Sequence, residues 1–169
     1  MPDNIALIAG ATGAAASRLT ELIALTPGWQ VVGLCRNPPA NPPPGNVRYI
    51  RTDLMSPESC KAAVAAAGAV THVVYASRAP FGEGGVEDVP LNVAMVRNLL
   101  DAAETPALRH VHLLEGGKWY GLHLGPMLSP TREDDPRHMP PNFYYDQQDF
   151  LTSRRVGKAW TWSASRPQY

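Results

Sequence analysis

The stretch from Ile5 to Leu19 constrains the rest of this chain more than any other. Ile5, Leu7 and Ile8 form an uncharged apolar run, the pattern of a strand buried on both faces. Gly10-Ala11-Thr12-Gly13-Ala14-Ala15-Ala16 follows as a turn, and residues 17–25 have a helical pattern. A strand that enters a helix through a glycine turn makes an anion site. Glycine lets a pyrophosphate approach the backbone, and the helix N-terminus offers free N–H groups and a favourable dipole. The spacing is G-x-x-G-x-x-A, with Ala16 at a position that serves helix–strand packing and accepts alanine. Taken alone, the motif also describes an ordinary tight turn between a strand and a helix.

The following segments repeat this alternation. Residues 30–35 read as a second strand and residues 46–51 as a third, separated by a proline-rich loop that can be neither helix nor central strand. A helix is expected around residues 56–67, a fourth strand at 70–76, a helix at 91–104 and a fifth strand within 108–114. Residues 81–90 form a glycine-rich acidic loop. A further helix opens at Asn142 and runs to about residue 158, with a sixth strand at 161–166. Regular strand–helix alternation predicts an α/β fold: a doubly wound parallel sheet of Rossmann type, in three αβα layers, with residues 1–169 as a single NADP-binding domain.

Strand ends line the ligand crevice in such a sheet. The second strand ends in Arg36 with no acid nearby, which suits the 2′-phosphate of NADP rather than the ribose hydroxyl of NAD. Asp53 and Leu54 follow the third strand, at the adenine end of a bound dinucleotide, and Asp53 is also placed to serve as an N-cap or turn acid. Ala76 and Ser77 close the fourth strand. The expected cofactor-binding set is therefore Gly10, Thr12, Gly13, Ala14, Arg36, Asp53, Leu54, Ala76 and Ser77, together with Lys118 from the glycine turn that ends the fifth strand, with NADPH as cofactor.

Bulk properties narrow the partners. Lys+Arg equals Asp+Glu at 15 each, so no net charge attracts nucleic acid or an anionic membrane. Cys35 and Cys60 are too few for a disulfide framework. The five histidines lack metal-ligand spacing, and no metal is expected. No signal peptide or membrane-spanning run is read, which predicts a cytoplasmic protein acting on a small molecule.

The chemistry is expected after the fifth strand. Glu115-Gly116-Gly117-Lys118-Trp119-Tyr120 puts a lysine in a glycine turn at the crevice, and Asn142-Phe143-Tyr144-Tyr145 puts tyrosines at a helix entry. Tyrosine has an ordinary pKa of roughly 10, and a neighbouring ammonium makes it a better proton donor. Its hydroxyl can also stabilise charge developing on a substrate oxygen. No Y-x-x-x-K pair occurs: Tyr120, Tyr144 and Tyr145 are followed four residues later by Leu124, Gln148 and Asp149.

G-G-K-W-Y, then E-D-x-P-R and N-F-Y-Y, with the G-x-x-G start and Arg36, resembles the progesterone 5β-reductase/iridoid synthase-like (PRISE) group of atypical extended short-chain dehydrogenases. The resemblance runs from Ala6 to Pro167. It implies NADPH-dependent reduction of the carbon–carbon double bond of an enone, with Lys118 and Tyr144 as the catalytic pair. Tyr144 would bond the forming enolate oxygen, and Lys118 would support Tyr144 and the ribose hydroxyls. The chain departs from the family pattern at Glu115, where threonine is usual, at Trp119, where histidine is usual, and in the added Gly121-Leu122-His123-Leu124. It also stops where relatives continue for roughly another domain. A fragment or a short natural form is expected; in a short form an exposed sheet edge and apolar surface favour a homodimer. Two alternatives remain open: a non-catalytic NADP-binding or regulatory module, and a ketone reductase or epimerase on the same fold.

Overall fold

The first apolar run becomes β1 (Asn4–Ala9), where Ala6, Leu7, Ile8 and Ala9 expose no surface. Fully burying a side chain such as Leu7 or Ile8 contributes about 1.5–3 kcal/mol. The remaining strands are β2 (Trp29–Cys35), β3 (Val47–Arg51), β4 (His72–Tyr75), β5 (His110–Leu114) and β6 (Thr161–Ser165). The helices are α1 (Ala14–Ala24), α2 (Pro57–Ala67), α3 (Val89–Ala103) and α4 (Phe143–Arg154). This computed structural model describes residues 3–127 and 129–167; the first two residues, Leu128 in the proline-rich run and the last two residues of the chain lie outside them.

All strand pairs are parallel, and the order is β3-β2-β1-β4-β5-β6. The chain turns back between β1 and β4, and this reversal opens a crevice at the carboxyl ends of those two strands. The larger core joins one face of the sheet to α2, α3 and α4 through residues such as Val64, Leu99 and Leu151. On the other face α1 packs Ala16 and Ala24 against Ala6, Ile8 and Val31. These are the three expected layers.

Helix boundaries follow local chemistry. The first helix begins at Ala14 rather than residue 17, because the three alanines are good helix formers and extend it back to Gly13. Ser56 caps α2 by accepting from Ser59 N at 3.1 Å, with Pro57 in the first turn. Asp53 is the turn acid: its Oδ1 accepts from Met55 N at 3.0 Å. The third helix starts at Val89 because Asp88 accepts from Leu91 N at 2.8 Å.

The last helix stops at Arg154, short of residue 158, where the chain turns to converge on Glu104. Arg154 Nε lies 2.7 Å and Lys158 Nζ 2.9 Å from that carboxylate, and Trp160 Nε1 donates to it at 3.2 Å. Burial raises the Glu104 pKa, but the bonds from Lys158, Arg154 and Trp160 together hold it below the usual range. No helix among the described residues is long and apolar enough to cross a membrane.

The face opposite α3 and α4 is polar along the last strands. His110 bonds Thr161 and Ser163 at 2.8 Å each, and His112 bonds Ser163 and Ser165 at 2.9 Å each. An imidazole–hydroxyl ladder thus joins β5 to β6 on this face and satisfies its polar groups internally. His72 on β4 lies with its ring centroid 4.7 Å from that of Trp29, tilted by 52°, and bonds Thr71 Oγ1 at 2.9 Å.

Burial holds the pKa values of His72, His110 and His112 below the ordinary histidine value. The unfolded chain takes up these protons near pH 6.5 while the folded chain resists them, so their contribution is full above that pH and is lost as pH falls below it. The urea midpoint is expected to fall between about pH 7.5 and about pH 5.5. His110→Asn/His112→Asn should flatten the dependence; equal slopes in both proteins would contradict the assignment.

Candidate active site

Gly10 directly follows β1 with φ +78°, a conformation that favours glycine. A Cβ there would lie 2.7 Å from both Ala76 O and Ser77 Oγ, so the ends of β1 and β4 can meet only because position 10 has no side chain. Gly10 N donates to Leu34 O at 3.0 Å, and Gly13 N donates back to Gly10 O at 2.9 Å. Gly13 is the N-cap of α1 and supplies no side-chain cap, which leaves first-turn N–H groups for a ligand.

This turn borders a cavity of about 240 Å³ at the switch point. Gly10, Thr12, Gly13, Arg36, Asp53, Leu54, Ala76 and Ser77 line it, bringing together eight of the expected residues. Ala14 and Lys118 are not among its lining residues. Arg78, Thr52 and Met95 also line it and were not read from the sequence. Arg78 follows Ser77 directly and was legible as a second cation at a strand end; Thr52 and Met95 carried no distinguishing signal.

Lys118 lies in a tight 3-10 turn, Gly117–Tyr120, immediately beyond β5. Its ammonium pairs with the Glu87 carboxylate and sits 4.2 Å from the Phe143 ring centroid and 5.4 Å from that of Tyr144. Burial lowers the Lys118 pKa, Glu87 opposes this, and the charge of Arg78 adds to the lowering.

Asn142 joins the two halves of this corner. Its Oδ1 accepts from Tyr144 N at 3.2 Å, capping α4, and its Nδ2 donates to Lys118 O at 3.0 Å. Tyr144 is half-buried, and its hydroxyl lies 3.8 Å from where a Cβ on Gly116 would stand. Its neighbours are packing residues. Phe143 is buried, and the buried Tyr145 donates to Trp119 O at 2.6 Å while accepting from His138 N at 2.8 Å.

Glu115 neither pairs with Lys118 nor faces the cavity. Its fully buried carboxylate accepts from Arg166 Nε at 3.1 Å and from Gln148 Nε2 at 2.9 Å. Burial raises its pKa, against the pull of Arg166 and Gln148. The Arg166 guanidinium stacks 3.6 Å from the Trp119 ring centroid. The two unusual residues of the motif, Glu115 and Trp119, therefore hold Arg166 between them.

Several solved structures share this fold. A short-chain dehydrogenase/reductase superfamily protein from Agrobacterium tumefaciens with bound NAD aligns at TM-score 0.74 and 19% identity, covering 96% of this chain and 48% of that one. A UDP-glucose 4-epimerase from Bifidobacterium longum, in complex with NAD+ and UDP, aligns at TM-score 0.74 and 19% identity, covering 96% and 52%. The PRISE-like Rossmann-fold domain family matches residues 52–169, and the chain belongs to that family. It is 36% identical to an (S)-8-oxocitronellyl enol synthase of Antirrhinum majus, over 98% of this chain and 45% of the relative. It is also 36% identical to a 3-oxo-Delta(4,5)-steroid 5-beta-reductase of Arabidopsis thaliana, over 98% and 46%. The chain thus spans about half the length of these curated relatives.

Closure of the switch point depends on Gly10. Gly10→Ala is expected to lower stability by about 1–3 kcal/mol, from the left-handed backbone and the contact with Ala76 O. Urea denaturation measures it, and an unchanged midpoint would show that the β1–β4 approach is not tight.

Proposed function

We propose that residues 1–169 form the NADPH-binding domain of a reductase that acts on the carbon–carbon double bond of an α,β-unsaturated carbonyl. The observation that carries this reading is Asn142 tying Lys118 to Tyr144 beyond β5. The residues fit the cofactor: the Gly10 cradle has no room for a Cβ, and α1 presents an N-terminus without a side-chain cap. Gly10, Thr12, Gly13 and Ala14 would receive the pyrophosphate on backbone N–H groups. Asp53 and Leu54 would flank the adenosine, Ala76 and Ser77 would border the crevice, and Arg36 would receive the 2′-phosphate. Lys118 would bond the nicotinamide ribose.

NADPH, when bound, supplies the hydride for the β-carbon of the enone. The Tyr144 hydroxyl would bond the carbonyl oxygen as negative charge develops there, the position from which such a donor lowers the barrier. The Lys118 ammonium, 5.4 Å from the Tyr144 ring centroid, would stabilise ionised character on that hydroxyl. Capping by Asn142 sets the first turn of α4, and so sets where Tyr144 leaves the backbone. The relatives' names support a small-molecule substrate for this site.

Tyr144→Phe tests this directly. Loss of NADPH absorbance with cyclohexenone should fall by about 10²-fold or more, the scale of removing one oxyanion donor. NADPH affinity should stay within about twofold, because only the hydroxyl is lost. Equal turnover by the variant would overturn the role of Tyr144. Tight NADPH binding without turnover by the unaltered protein would favour a cofactor-binding module.

A further inference from the structure

The ion pair at Lys118 spans two separate connections of the fold. Lys118 comes from the turn after β5, whereas Glu87 comes from the loop between β4 and α3. Both side chains are largely withdrawn from water, at 19% and 16% exposure. Coulomb attraction is therefore screened less than in a surface pair.

Glu87 is held from a rigid element although it belongs to a glycine-rich loop. The adjacent Asp88 caps α3, and Asn92 Nδ2 donates to Asp88 O at 2.8 Å. Asn92 Oδ1 in turn accepts from Ala79 N at 2.8 Å, fastening the other end of the loop. Three elements present charged or titratable groups to the ammonium. Glu87 and Arg78 come from the β4–α3 loop, His123 from the turn that follows Tyr120, and Tyr144 from α4. Glu87 supplies the negative charge in this set.

We propose that Glu87 is a positioning residue for Lys118, holding its ammonium protonated and directed toward the rings of Phe143 and Tyr144. The proposal rests on the reading of Lys118 and Tyr144 given above. Physically, a half-buried ammonium loses hydration and tends to lose its proton, and a carboxylate at contact distance opposes that tendency. Arg78 acts in the opposite direction, so removing the Glu87 charge leaves burial and Arg78 unopposed. A neutral lysine no longer favours ionised character on Tyr144, so as pH rises the loss of turnover then begins at a lower pH.

The Lys118 charge can be measured without any activity. The sequence has three lysines, Lys61, Lys118 and Lys158. Competitive acetylation of the whole chain with acetic anhydride across a pH series, read by peptide mass spectrometry, gives the Lys118 titration against exposed Lys61 as internal reference. Glu87→Gln should lower the Lys118 midpoint by about one pH unit, the effect of removing one close opposite charge. Glu87→Asp should restore part of that shift, and Glu83→Gln in the same loop should cause none. The basic limb of NADPH-dependent cyclohexenone reduction should move down with the midpoint in Glu87→Gln, with turnover retained at lower pH.

An unchanged Lys118 midpoint in Glu87→Gln would overturn the proposal, as would an equal loss of turnover at every pH. If the unaltered protein reduces no enone, the functional reading fails, while acetylation still decides the role of Glu87.

Discussion

Asn142 exposes no surface, and its amide is committed to two backbone groups in different parts of the fold. One bond starts α4 and the other holds the turn that carries Lys118. A buried amide is costly unless both its donor and acceptor are used, so the two segments are coupled through the requirement that Asn142 be satisfied. The relation between Lys118 and Tyr144 follows from that coupling. It takes the place of the helical Y-x-x-x-K spacing, in which a single helix would fix both residues.

A second buried polar arrangement supports the same corner. Glu115, Gln148 and Arg166 bring β5, α4 and the end of β6 together around one carboxylate. Removing one partner of such a set leaves a buried charge uncompensated, typically a loss of about 3–5 kcal/mol. Trp119 closes the set by stacking on the guanidinium, and Tyr145 holds Trp119 through its carbonyl.

Much of the fold was legible because its signals are local. Strand runs, the glycine turn and the cap at Asn142 each lie within a few residues, and the strand–helix alternation identifies the sheet type. Helix ends were less legible. Ala14, Ala15 and Ala16 suit a turn lining or a first helical turn equally, and α4 buries Gln147 and Gln148, which breaks the apolar stripe that marks a helix. Long-range partners were not legible at all. Arg166 lies 51 residues and Gln148 33 residues from Glu115, and Glu87 lies 31 residues from Lys118. Nothing in a run of residues announces such pairings; the folded sheet brings them together. The polar ladder on β5 and β6 was missed for the same reason, since neither strand alone reveals that histidines on one oppose hydroxyls on the other.

The β1–β4 crevice and Arg36 together carry the claim that this domain takes a phosphorylated nicotinamide dinucleotide. Calorimetric titration of the chain with NADPH and NADH tests it most directly. Saturable binding at one site, with NADPH tighter by about tenfold or more, is the expected result, because on the proposed reading the 2′-phosphate would gain a charge-assisted bond to Arg36. No saturable binding of either nucleotide, or tighter binding of NADH, would contradict it.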